Sequence, residues 1–154
     1  MLSIVTIRRS LQHSDVRGTA AIEFALLSPI LLALLLGVVE LGFGIYAAIQ
    51  AQSAAEAGAL YAAKHGWDSA GISAAVVNAT GASSMAATPA PTLFCGCPSV
   101  TGVAAIACNS TCTGGSQPGE YVQINSALAR LSILSDPGLG LATTLTGKSA
   151  IRIQ

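Results

Sequence analysis

From Phe24 to Val39 the chain reads FALLSPILLALLLGVV, sixteen residues without a charged side chain. Glu40 interrupts the run, and LGFGIYAAI carries the apolar character on to Ile49. A bilayer hydrocarbon core about 30 Å thick takes about 20 helical residues, so a helix from Phe24 to about Phe43 would cross it. Charge gives the direction. Arg8, Arg9 and Arg17 precede the run, and no basic residue follows until Lys64. The positive-inside rule then puts residues 1–18 in the cytoplasm and everything after about residue 45 outside.

The whole composition fits that reading. The chain has 154 residues, 52% of them hydrophobic and only 9% charged, where soluble domains carry about 25% charged residues. Seven basic and seven acidic side chains cancel, which speaks against a basic surface for nucleic acid. The balance is uneven along the chain. Residues 1–18 hold three arginines against Asp15, and residues 19–154 hold four basic and six acidic groups. A cleaved secretory signal would show an apolar stretch of about 7–15 residues and a small-residue site close behind it. Here the run is longer, and the nearest such site, Ala51-Gln52-Ser53, lies well beyond it.

Two acids mark the segment. Glu40, near its outer end, is expected to be solvated at the interface. Glu23 lies one turn inside, where a bare carboxylate at helix-centre depth would cost about 3 kcal/mol; a cationic partner would remove that cost. Pro29 lacks a helical N–H and tends to kink a helix, and Ala33 and Gly37 form a small-xxx-small pair that permits close helix contact.

Arg17-Gly18-Thr19-Ala20-Ala21-Ile22-Glu23-Phe24 resembles the processing site of the TadE-like pseudopilins of the tight-adherence (Flp-type) pilus system. The resemblance implies cleavage by a prepilin peptidase between Gly18 and Thr19. Glu23 becomes the recognition glutamate at the fifth mature position, with Phe24 beside it and Arg17 before the scissile bond. The amine freed on Thr19 would be the cation that Glu23 needs, in the same chain or in a neighbouring subunit. The Ala-rich stretch from Ala48 to Gly66, the segment EYVQINSALARLSIL and the closing LTGKSAIRIQ are similar to the same family's helix and end strands. The implied partners are the prepilin peptidase, a major Flp-type pilin with sibling pseudopilins, an inner-membrane assembly platform and the lipid bilayer. No cofactor is implied.

Beyond the membrane, the absence of proline and the abundance of alanine from Ala47 to Lys64 favour continued helix. Tyr46, Ile49, Ser53, Ala57 and Leu60 fall on one apolar stripe of it, and Gly66 reads as its stop. Asp68 or Ser69 would cap a short helix through about Ala79, with Ile72, Ala75, Val76 and Ala79 on its apolar face. An extended Ser/Ala/Pro linker over Thr80–Thr92 follows. Strands are expected at Thr92–Cys97, Val103–Cys108, Tyr121–Ile133 and Leu145–Ile153, with loops at Gly114-Gly115 and Pro137-Gly138.

Cys95, Cys97, Cys108 and Cys112 are spaced C-x-C-x10-C-x3-C. Zinc sites usually carry C-x2-4-C at both ends, and an even count outside the cytoplasm favours disulfides. Cys95 and Cys97 should each pair with Cys108 or Cys112, in either combination. No metal is expected. The serines lack a nucleophile-elbow context, and neither a phosphate loop nor H-E-x-x-H is present. His65 reads as a solvated residue favoured by the helix C-terminus, Glu120 and Asp136 as turn or strand-edge carboxylates, and Trp67 as an anchor under the small domain or an interfacial side chain. The chain is therefore expected not to be an enzyme.

The expected fold is α+β and pilin-like. A long N-terminal membrane-spanning helix continues into an extracytoplasmic spine, packed by a short helix and a small, mainly antiparallel sheet. The expected divisions are a cytoplasmic leader (1–18), a transmembrane helix (19–45), a helical spine (46–66) and an extracytoplasmic head (67–154). The function this implies is a minor pseudopilin of the bacterial inner membrane. Two rivals are an uncleaved single-pass membrane-anchored binding protein and a secreted small disulfide protein. The mature N-terminal residue separates the three: Thr19, Met1, or a residue near 52–55.

Overall fold

A computed structural model describes residues 16–100, 102–130 and 143–153. Leader residues 1–15, the expected strand end at Leu131–Ile133, Asp136 and the Pro137-Gly138 loop lie outside the described residues. The first compact unit ends at Val39 and the second begins at Glu40.

Helix α1 runs Val16–His65, through Pro29. Its stretch Thr19–His65 is long and apolar enough to cross a membrane, and the most apolar window in it is not buried within the molecule. Large side chains such as Phe24, Leu27, Leu31 and Leu35 are therefore turned outward. In water such a surface would be strongly unfavourable; in lipid it is the expected one.

Helix α1 stops where glycine allows it. Gly66 adopts φ +76°, and its N–H donates to the Ala62 carbonyl at 2.8 Å, closing the last turn with a residue that tolerates left-handed backbone. Helix α2, Ser69–Asn78, begins three residues after Gly66. Asp68 caps it from an extended conformation (φ −146°, ψ 94°), its carboxylate accepting from the Gly71 N–H at 3.1 Å. Asp68 thus satisfies a donor that the first helical turn leaves open, which decides between the two caps, Asp68 and Ser69, that the sequence offers.

Among the described residues five strands follow: β1 (Met85–Ala86), β2 (Thr92–Ser99), β3 (Gly102–Ala105), β4 (Gly119–Ala129) and β5 (Thr144–Arg152). All pairings are antiparallel, and β4 is central. Strand β5 pairs with β4 from Tyr121↔Arg152 to Ala129↔Thr144. On the other side of β4, β2 pairs with residues 119–123 and β1 with residues 127–128; β3 extends the sheet beyond β2. The α+β class and the antiparallel sheet agree with the sequence. Strand β1 was hidden in the expected linker, and β3 stops at Ala105 rather than Cys108. Strand β4 ends at Ala129.

The core of the second unit lies between the sheet and the helices. Val122, Ile124, Ser126 and Leu128 alternate along β4 onto one face, each no more than 4% exposed. They meet Ile72 and Val76 of α2, Met85 of β1, and a seam of Ala47, Ala51, Ala54, Ala59 and Ala62 on α1. The expected stripe is thereby corrected: Tyr46, Ile49 and Leu60 are 62%, 59% and 71% exposed. The helix packs its small side, because a sheet can approach an alanine and glycine seam more closely than a row of large side chains. A Cβ on Gly58 would come within 2.7 Å of Val76 and 3.0 Å of Ile124.

Candidate functional site

The residues of the expected processing motif lie on the first turns of α1. Val16 to Phe24 are helical. This places Thr19 and Glu23 four residues apart, hence on one face. Both are exposed, as is Phe24 at 69%. For Arg17 and Gly18 only the helical backbone is described. The motif therefore presents a carboxylate and an aromatic side by side on an otherwise aliphatic helix surface.

Glu40 departs from its expected role. Its side chain is 3% exposed, and its carboxylate meets the Arg130 guanidinium at 2.9 Å. Arg130, itself 10% exposed, also reaches the Glu40 carbonyl at 3.4 Å, and its backbone N–H donates to the Thr143 carbonyl at 2.8 Å. A solvated interfacial acid is thus replaced by a desolvated ion pair. Neutralising both charges together is what makes burial of either tolerable. The pairing spans 90 positions, so no local sequence pattern announces it; only the surplus of Arg130 at the end of an apolar strand hints at it.

Two further contacts fix the sheet on α1. The buried Ser126 hydroxyl donates to the Ala51 carbonyl and accepts from the Gly147 N–H at 3.1 Å. Gly147 is required there, because a Cβ would press on the backbone of Ala51 and Gln52. The Gln52 amide then covers part of the open edge of β5, accepting from the Lys148 N–H and donating to the Lys148 carbonyl, each at 3.3 Å. Exposed strand edges invite unwanted pairing, and this side chain occupies one position of that edge.

The four cysteines form two disulfides, Cys95–Cys108 and Cys97–Cys112, leaving no free thiol. This settles the pairing that the spacing left open. The bridges hold residues 106–118, which contain no strand or helix, against β2.

At the end of the spine, Tyr61 stacks on His65 with ring centroids 4.5 Å apart and donates its hydroxyl to Asp68 at 3.1 Å. The Gly71 N–H and then the Tyr61 hydroxyl hold the Asp68 carboxyl below its usual range. The same bond to Asp68 raises the Tyr61 phenol, since an anion accepting its proton opposes ionisation. Glu120 sits on β4 opposite Cys95, and Trp67 is 42% exposed.

Residues 18–60 match the family model described as TadE-like protein. Over those residues the chain is similar to TadE-like proteins. The match opens at Gly18 and closes on the spine, so it contains Thr19, Glu23, Phe24 and Glu40. The sheet, Arg130 and the disulfides lie beyond the TadE-like match. No curated protein matches the chain, and no solved structure does.

Proposed function

We propose that this chain is a minor pseudopilin of the tight-adherence pilus system, with a structural rather than a catalytic role. The observation that carries the reading is where the TadE-like match begins. It opens at Gly18, the residue before the bond that a prepilin peptidase would cut, and runs on through an apolar helix.

In this reading the chain enters the bacterial inner membrane with residues 1–18 in the cytoplasm, held there by Arg8, Arg9 and Arg17. Hydrolysis of the Gly18–Thr19 amide leaves a carboxylate on Gly18 and a free amine on Thr19. Glu23, one helical turn along, pairs with that amine or with the amine of a neighbouring subunit. Lipid gives helices little apolar reason to associate, so an ion pair of this kind supplies a specific one. The major pilin, sibling pseudopilins and the assembly platform are the partners of the exposed helix.

The mature N-terminal residue tests the reading. Mass spectrometry of the protein from cells should show a chain beginning at Thr19. A start at Met1, or well past the apolar run, would overturn it. Replacing Gly18 by a bulky residue should leave a species heavier by the mass of the leader, and Glu23→Ala should impair maturation, pilus assembly or both.

A further inference from the structure

We propose that the rim formed by Leu41, Phe43, Ile45 and Tyr46 around Arg130 is a seat for the phospholipid headgroup layer on the outer face of the membrane. The inference rests on the membrane-spanning reading of α1 and adds to it a second, shallower contact made by the folded unit itself.

Helix geometry sets the depth. Counting about 20 residues of hydrocarbon-spanning helix from any start between Thr19 and Phe24 ends the core between about Val38 and Phe43. The headgroup layer adds roughly 6 Å on each side, or about four more residues at 1.5 Å each. Leu41 to Tyr46 therefore fall at the outer boundary.

The side chains suit that depth. Leu41, Phe43, Ile45 and Tyr46 are 65%, 57%, 54% and 62% exposed, although they belong to the unit that buries Ala47 and Ala51. Rings of Phe and Tyr at a membrane boundary resemble the aromatic belts that fix helices in bilayers. Charge is handled as a boundary demands. Glu40, the acid at this level, is 3% exposed and joined to Arg130 at 2.9 Å, so neither ion faces the apolar layer bare. Two open clefts of about 340 and 230 Å³ flank Arg130, the first bordered by Phe43 and Tyr46, the second by Leu41 and Ile45. Leu60, farther up the spine, is also exposed but lies about 20 Å beyond Tyr46 along the helix. It belongs to a different environment.

Tryptophan depth measurements test the seat. The full chain carrying Trp67→Phe would be placed, one copy per nanodisc, in phosphatidylethanolamine and phosphatidylglycerol with nitroxide-labelled lipid. Single substitutions Leu31→Trp, Phe43→Trp, Tyr46→Trp and Leu60→Trp then report depth. Phe43→Trp and Tyr46→Trp should be quenched most by a label at the headgroup, Leu31→Trp most by one at the acyl-chain end, and Leu60→Trp by neither. Quenching of Leu31→Trp without quenching at positions 43 and 46 would overturn the seat while leaving the span intact. No quenching at position 31 would remove both. A response at 43 and 46 only when two copies share a disc would show a contact between copies and likewise overturn the proposal.

Discussion

Ser126 ties the sheet to the helix, with its hydroxyl between the Ala51 carbonyl and the Gly147 N–H. Ser126→Ala should cost about 1–3 kcal/mol in unfolding free energy, the usual penalty for stranding buried polar groups. Gly147→Ala should cost a similar amount, about 1–3 kcal/mol from overpacking, because the new Cβ would lie 2.7 Å from the Gln52 Cα. Thermal unfolding of the full chain in detergent checks both, and a Tm unchanged by either would refute the contact. Glu40→Ala removes the carboxylate 2.9 Å from the buried Arg130 guanidinium, a loss of up to about 3–5 kcal/mol. The double change Glu40→Leu with Arg130→Met should restore part of that, since both members of the buried pair are then replaced by apolar residues. None of this was legible locally: Glu40 looks like a membrane-edge acid until Arg130 is brought to it.

Among the elements, α2 was the most readable, because its cap and its apolar spacing lie within one short stretch. The same cap makes a pH prediction. The Asp68 carboxyl is held below its unfolded value, so its support of α2 is present above the ordinary carboxylate range. That support is lost as pH falls through the depressed folded value. Following the Gly71 amide by NMR should show this loss, and Asp68→Asn should abolish the pH dependence while keeping a cap acceptor. Strand β1 was unreadable for the opposite reason. Two residues cannot show alternation, and Met85–Ala86 become a strand only because Leu128 and Ala127 lie beside them. The disulfide element was half readable: spacing limited the partners, and the path of β2 past residues 106–118 chose between them. Cys97→Ser with Cys112→Ser opens a loop with a sequence separation of 15, worth about 3 kcal/mol by chain entropy. Hydrogen exchange should rise in β3 and residues 106–118, with β4 and β5 still protected.

For the molecule as a whole, the apolar run and its basic flank dictated a long helix suited to lipid, and the TadE-like match at residues 18–60 covers that same stretch. Hydropathy, helix period and capping act between residues a few positions apart, so the sequence by itself determined α1, its stop at Gly66 and α2. Alternation along β4 and β5 likewise announced the sheet. Which side of α1 the sheet would take was decided only by tertiary structure. Bulk and hydrophobicity favoured Tyr46, Ile49 and Leu60, yet the packed side is the alanine seam, because Gly58, Gly147 and Ser126 require backbone-close approach. The Glu40–Arg130 pair was decided in the same way. Its members stand 90 positions apart, and only the folded sheet gives the buried acid a counter-ion and turns a polar interruption of the helix into a buried joint.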